Sequence, residues 1–193
     1  MPLAPWRSPL ARALHRNRAA ADARYCQLAT VNADGYPSNR TVVFRGFWQE
    51  SNHLQIITDA RSTKLAHLQR QPWGAICWYF RQSREQFRLS GEINVIDHRT
   101  PRPDLQQARR QMWQNISDNA RAQFLWPDPG VPKADPAAFE VVPDPATIPE
   151  TFVLLWFNPE QVEHLELRGE PQNRTRYQYE HRTGQWQVEA LNP

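Results

Sequence analysis

Residues 86–96 place the strongest constraint on what this chain can fold into. Phe87, Leu89, Gly91, Ile93 and Val95 alternate with Gln86, Arg88, Ser90, Glu92 and Asn94. Successive side chains of a strand point to opposite faces, so this period of two describes a strand with one dry and one wet face. Such strands belong to antiparallel sheets, because parallel sheets are covered on both sides. Residues 74–80 supply the natural partner across the polar loop 81–85.

The same logic extends along the chain. Residues 25–31 and 38–47 flank Asn32-Ala-Asp-Gly35, a sequence that provides the positive φ of a tight hairpin turn. Further strands are predicted at 53–58, 151–157, 161–167, 174–180 and 185–190. Trp6, Leu10 and Leu14 recur every four residues, which predicts an N-terminal helix over about 4–20 docked on the core. Ser62 is placed to cap a short helix with Leu65 and Leu68 inside, stopped by Pro72. A helical stretch is expected over 104–124, with Leu105, Ala108, Met112 and Ile116 on one face. Residues 126–150 are dense in proline and poor in apolar side chains, and read as an extended surface insertion. The expectation is one domain over 1–193, mainly β (α+β), an antiparallel closed or split β-barrel with flanking helices.

Composition narrows the function classes. Of the 193 residues 40% are hydrophobic, enough for a substantial core, and no apolar run approaches the roughly 20 residues of a membrane span. No signal segment is evident at the N-terminus, so a cytoplasmic location and no membrane partner are expected. Cys26 and Cys77 sit in apolar strand-like runs and read as reduced core residues. No Cys/His cluster has metal-ligand spacing, and no metal is expected. All cations but Lys64 and Lys133 are arginines, spread without a basic block, so nucleic acid is not the expected partner.

The chemistry concentrates in two segments. Residues 37–46 form a strand carrying Arg40 and Arg45. Residues 58–65 put Thr58, Arg61, Ser62, Thr63 and Lys64 where a strand ends and a helix begins. Hydroxyls and backbone N–H groups at a helix N-terminus, with cations nearby, suit a phosphate dianion. Strict alternation sets Arg40 and Arg45 on opposite faces; either a bulge intervenes, or the two contact different parts of an interface site.

Leu28-Ala-Thr-Val31, Gly35-x-Pro-Ser38, Arg40-x-Val-Val-Phe-Arg-Gly46, Thr58-Asp59, Ser62-x-Lys64 and Glu85-Gln-Phe-Arg-Leu-x-Gly91 together resemble the pyridoxamine 5′-phosphate oxidase family. The Pro-rich insertion and the opening Ala4-Pro-Trp6-Arg-Ser-Pro-Leu10 resemble a divergent branch of it, found in cyanobacteria and plants. The resemblance implies a split β-barrel of the FMN-binding type, a homodimer with FMN at the subunit interface, and an FMN-dependent oxidoreductase acting on a small-molecule substrate. It places Arg40, Ser62, Thr63 and Lys64 about the FMN phosphate and the backbone of Val42, Val43 and Phe44 along the ring, with Thr41 and Thr58 among the cofactor contacts. Arg45 and Gln86 fall at the ring's polar edge, Arg176 falls near the flavin, and Gln123 is a candidate contribution from the partner subunit. Arg174 is the candidate substrate contact; no acid or base is singled out.

The chain departs from the family pattern at five positions. Thr63 replaces an arginine, Arg45 replaces a lysine, and Leu165 stands where a tryptophan covers the flavin. Gln172-Asn-Arg174 replaces an Arg-x-His substrate motif, which implies an altered substrate site. Alternative readings are a non-catalytic FMN- or haem-binding protein on the same scaffold, with His53, His67 or His164 as haem ligands, or a single-stranded nucleic-acid binder.

Overall fold

The computed structural model describes residues 3–193. Helix α1 (Arg7–Arg16) is followed by β1 (Tyr25–Val31), β2 (Pro37–Phe47), β3 (Leu54–Asp59), α2 (Thr63–Arg70), β4 (Trp73–Phe80) and β5 (Glu85–Ile96). Then come α3 (Pro103–Asn115), α4 (Asp118–Ala122), a 3-10 turn (Pro136–Phe139), β6 (Phe152–Glu166), β7 (Asn173–Glu180) and β8 (Gln185–Leu191).

All strand pairing is antiparallel, in the order β3-β2-β1-β4-β5-β6-β7-β8. β6 also pairs with β3, from Leu54 opposite Phe157 to Asp59 opposite Phe152. That ladder closes β1 to β6 into a barrel and leaves β7 and β8 as an extension. The first hairpin forms as the sequence predicts. Asn32 Oδ1 accepts from the Asp34 and Tyr36 amides, and Gly35 takes φ +85°.

β6 runs unbroken where the sequence suggested two strands. Pro159 would interrupt a regular ladder, but it lies opposite Gly91, where the register between β5 and β6 shifts. A bulge tolerates a residue that lacks an N–H. Gly91 is required there, since a Cβ would stand 2.0 Å from the Asn158 carbonyl oxygen.

Other differences have local causes. α1 is shorter than expected because Asn17 turns its side chain onto Ala13 O, Ser83 Oγ and the Gln82 amide, tying the helix end to the β4–β5 hairpin. The stretch 104–124 is broken at Ile116, and Ser117 caps α4 by accepting from the Ala120 amide. Cys26 is buried, but Cys77 is exposed on the outer face of β4; both are free thiols.

The barrel interior holds Leu28, Phe44, Ile56, Trp78, Phe87 and Phe157. α1 plugs onto it through Trp6 and Leu10, with Trp6 against Phe47 and Trp186. A second cluster lies outside, where α3 and α4 set Leu105, Met112, Trp113 and Phe124 against Phe152, Leu154 and Trp156 of β6. This second cluster positions α4, and through it the segment that follows, beside the end of β3.

Candidate functional site

Along β2, Val42 and Phe44 are buried and Thr41 and Val43 face outward. The register with β3 then slips: Phe44 pairs with Ile56, Gly46 pairs with Gln55, and Arg45 is the extra residue between them. Gly46 absorbs the distortion at φ +128°. The bulge re-aims Arg45, and both arginines line one cleft of about 830 Å³. The alternation conflict is thereby resolved.

The cleft's cationic corner lies at the β3–α2 junction. Lys64 Nζ donates to Thr58 Oγ1 at 2.7 Å and to Ser62 Oγ at 2.5 Å. Ser62 holds the N-cap position with extended backbone, yet its hydroxyl makes no capping bond. It is turned instead toward the lysine, leaving the helix's first N–H groups without a side-chain cap. Burial pulls the Lys64 pKa down to about 8; repulsion from Arg40 adds to this and Asp59 opposes it. Arg40 donates to Leu28 O, Thr30 Oγ1 and Ser38 Oγ, and burial lowers its pKa and that of Arg45. Depressed lysine and arginine values here mark cations withdrawn from water by burial, with repulsion between neighbouring cations a smaller contribution at Lys64 and Arg45.

The opposite wall comes from α4 and the proline-rich segment. Gln123, Phe124, Trp126, Asp128, Lys133 and Phe139 all line the cleft. Arg61 ties this wall to the floor. Its guanidinium makes a bidentate pair with Asp59 at 2.9 and 2.7 Å, and Nη1 donates to Trp126 O at 2.7 Å and Asp128 Oδ1 at 3.1 Å. Sequence reasoning counted 126–150 as surface and missed this wall. The available signal was Trp126, a large aromatic heading a stretch otherwise poor in apolar residues.

Arg40, Thr41, Val42, Val43, Arg45, Thr58, Ser62, Thr63, Lys64 and Gln123 are thus brought together by one chain. Phe44 is not at the cleft surface; its ring packs in the barrel against Phe47 and Trp78. Gln86, Arg174 and Arg176 lie elsewhere, on the outer face of the sheet. Two register rows place them: Tyr79–Gln86–Leu165–Arg174 and Cys77–Arg88–Glu163–Arg176. Arg174 and Arg88 both pair with Glu163, whose carboxyl is held below the ordinary range by these arginines against the effect of burial. Arg176 pairs with Glu189 at 2.5 Å.

Residues 3–97 match the model of the pyridoxamine 5′-phosphate oxidase FMN-binding domain. The chain is 40% identical over 169 residues to pyridoxine/pyridoxamine 5′-phosphate oxidase 2 of Arabidopsis thaliana, covering 86% of this chain and 85% of that protein. This chain belongs to the pyridoxamine 5′-phosphate oxidase family. A crystal structure of a pyridoxamine 5′-phosphate oxidase-related, FMN-binding protein from Nostoc punctiforme is 53% identical, superposes with TM-score 0.96 and covers both chains completely. PhzG from Burkholderia lata, solved with tetrahydrophenazine-1-carboxylic acid, shares the fold at 20% identity, with TM-score 0.79 over 96% of this chain and 91% of that one.

FMN is the cofactor of this family, and the cleft fits it by its own chemistry. Five cations face two carboxylates along its walls, and both carboxylates are bonded to Arg61. Two buried donors lining it, Arg45 Nε and Trp126 Nε1, have no hydrogen-bond partner within the chain. Buried donors without acceptors are costly unless a ligand supplies the acceptors. A ligand with a dianionic end and a ring bearing carbonyl oxygens meets both demands.

Proposed function

We propose that this chain is an FMN-dependent oxidoreductase, working as a homodimer on a small-molecule substrate with a site altered from that of the pyridoxamine-phosphate oxidases. The observation that carries the reading is the convergence of Arg40, Arg45 and Lys64 on one cleft through the β2 bulge. In this reading Lys64, Ser62, Thr63, Thr58 and Arg40 hold the phosphate, as charge-assisted and hydroxyl bonds at a helix N-terminus. Arg45 presents a cationic donor to the polar edge of the ring, where negative charge gathers on reduction. Bound FMN supplies the two-electron chemistry. The chain itself contributes orientation and charge: among the described residues the cleft is lined by no histidine, and Asp59 and Asp128 are committed to Arg61.

The placement of Gln86 and Arg176 supports the dimer reading. They lie away from their own chain's cleft, on an outer face that exposes Tyr25, Trp73 and Tyr79. Large exposed aromatics on one sheet face mark an association surface. A second copy packed there brings its Gln86 and Arg176 to the flavin, and Arg174 to the substrate. For a substrate anion to reach Arg174, it must compete with Glu163, which bonds Arg174 at 2.6 Å. That competition favours a small, strongly anionic group or one that displaces the whole pair.

Purified protein is examined by visible absorption before and after FMN addition and desalting, then screened for flavin reduction under anaerobic conditions, starting with pyridoxamine 5′-phosphate. Retained flavin that a substrate bleaches supports the reading. Failure to retain FMN overturns it, and retained flavin that no candidate reduces reassigns the chain to flavin binding without turnover.

A further inference from the structure

The far end of β6 carries a cluster that the flavin reading does not use. Glu85 opens β5 directly opposite Glu166, and His164 lies two residues back on the same face of β6. His164 Nε2 stands 2.9 Å from Glu85 Oε2, and its ring is stacked on Phe87 at 4.1 Å and 11°. One ligand atom from each of Glu85, His164 and Glu166 lies within 4.8 Å of the other two.

Like charges directly opposite across a ladder repel, and burial strengthens the repulsion. Glu85 is only 4% exposed, and its Oε1 has no hydrogen-bond donor. The cation nearest to that oxygen is Arg16 Nη1 at 3.6 Å, too long for a hydrogen bond, on a side chain 60% exposed to solvent. A carboxylate with one buried oxygen lacking any donor, set beside an imidazole and a second carboxylate, calls for a cation among the groups.

We propose that Glu85, His164 and Glu166 bind a divalent transition-metal ion of the zinc class. Imidazole nitrogen and carboxylate oxygens are ligands zinc accepts at about 2.0–2.2 Å, which sets ligand atoms roughly 3.3 Å apart in a tetrahedral site. The His164–Glu85 contact is already within a few tenths of that spacing. Phe87 holds the imidazole plane. The ligands are separated by up to 81 positions along the chain, so spacing along the sequence gave no sign of them. The metal would pin the open end of the β5–β6 ladder beneath α1. Val153, which pairs with Thr58 of the cleft, is roughly 35 Å from His164 measured along the strand, so metal and flavin are separable.

Chelator-treated, tag-free protein is titrated with zinc chloride by calorimetry and by thermal melting, with Glu166→Gln and His164→Gln in parallel. Wild type is expected to bind one zinc per chain and to melt about 5 °C or more higher with zinc a hundredfold above Kd. Glu166→Gln, a half-buried site, is expected to keep its fold and flavin content but bind zinc on the order of 10- to 100-fold more weakly. Absence of saturable zinc binding by wild type overturns the proposal and leaves the His164–Glu85 contact as a hydrogen bond within the fold. Unchanged affinity in Glu166→Gln overturns it as well, by locating the zinc elsewhere.

Discussion

Arg61 Nη1 lies 3.1 Å from Asp128 Oδ1, and through that contact the end of β3 is joined to a segment 67 residues further along the chain. The same guanidinium grips Asp59 and the Trp126 carbonyl, so one side chain clasps the floor of the cleft to its wall. Arg61→Ala is expected to speed FMN dissociation about tenfold, the scale of a part-buried ion pair and its backbone bond. Stopped-flow flavin fluorescence measures it; an unchanged off-rate would show that the wall is held by other contacts.

Arg40 and Lys64 are expected to act together on the phosphate. Each charge-assisted bond is worth about 1.5–3 kcal/mol, so Arg40→Ala combined with Lys64→Ala should weaken FMN binding between about 10²- and 10⁴-fold. The far-ultraviolet spectrum should stay native, because neither residue is in the barrel core. Full flavin occupancy in the double variant would refute the phosphate assignment.

Lys64 also gives the site a pH signature. In the flavin-free fold burial and Arg40 set its pKa at about 8, against 10.5 for an ordinary lysine. Between those values the unfolded chain holds the proton that the folded chain has lost, so flavin-free stability contributed by this group rises with pH across that window. Flavin affinity runs the other way. A phosphate dianion favours the charged lysine, so Kd should begin to rise above pH 8, by at most about tenfold per pH unit. Lys64→Met should remove that dependence, and a titration of flavin fluorescence against pH checks both.

Ala75 lies on the exposed face of β4, beside Ala29 of β1 and Ser90 of β5. Placing an unpaired charge in the proposed interface costs several kcal/mol, so Ala75→Arg should yield a folded monomer by light scattering. That monomer should lose flavin too, since Gln86 and Arg176 then have no partner cleft to reach. A dimer that persists with full flavin would move the interface to another face.

Gly91 is pressed against the Asn158 carbonyl at the β5–β6 bulge. Gly91→Ala must displace backbone rather than a pliable side chain, and should destabilise by about 1–3 kcal/mol or more. For a chain of this size that is a fall in Tm of roughly 2–10 °C.

The strands and hairpins were legible because each half-buried strand announces itself with a period of two, and Asn32 to Gly35 could only be a turn. The cationic corner was legible for a similar reason: Thr58, Ser62, Thr63 and Lys64 are neighbours in sequence, and one strand-to-helix turn keeps them neighbours in space. What the sequence concealed was set by tertiary contact. The Arg45 bulge shows only in the pairing of Phe44 and Gly46 with β3. The continuity of β6 through Pro159 depends on the matching irregularity at Gly91. Arg61, Asp128 and Trp126 converge across 65 residues and more, with no local pattern to connect them. Cys77 has an apolar neighbourhood in sequence, and the outer face of β4 in the fold.

The wall that Arg61 clasps is rich in proline: Pro127, Pro129 and Pro132 are three of its nine residues from Trp126 to Ala134. Proline fixes φ in the unfolded chain as well as the folded one, so much of this segment's freedom is surrendered when the polypeptide is made. A cover of glycine and serine would have to be ordered each time a cofactor arrived, and the loss of entropy would appear in the binding constant. Here little is left to lose. In the proposed site the wall is a stiff surface against which the flavin would be seated, so tight retention need not come at the expense of a slow, ordering-limited arrival.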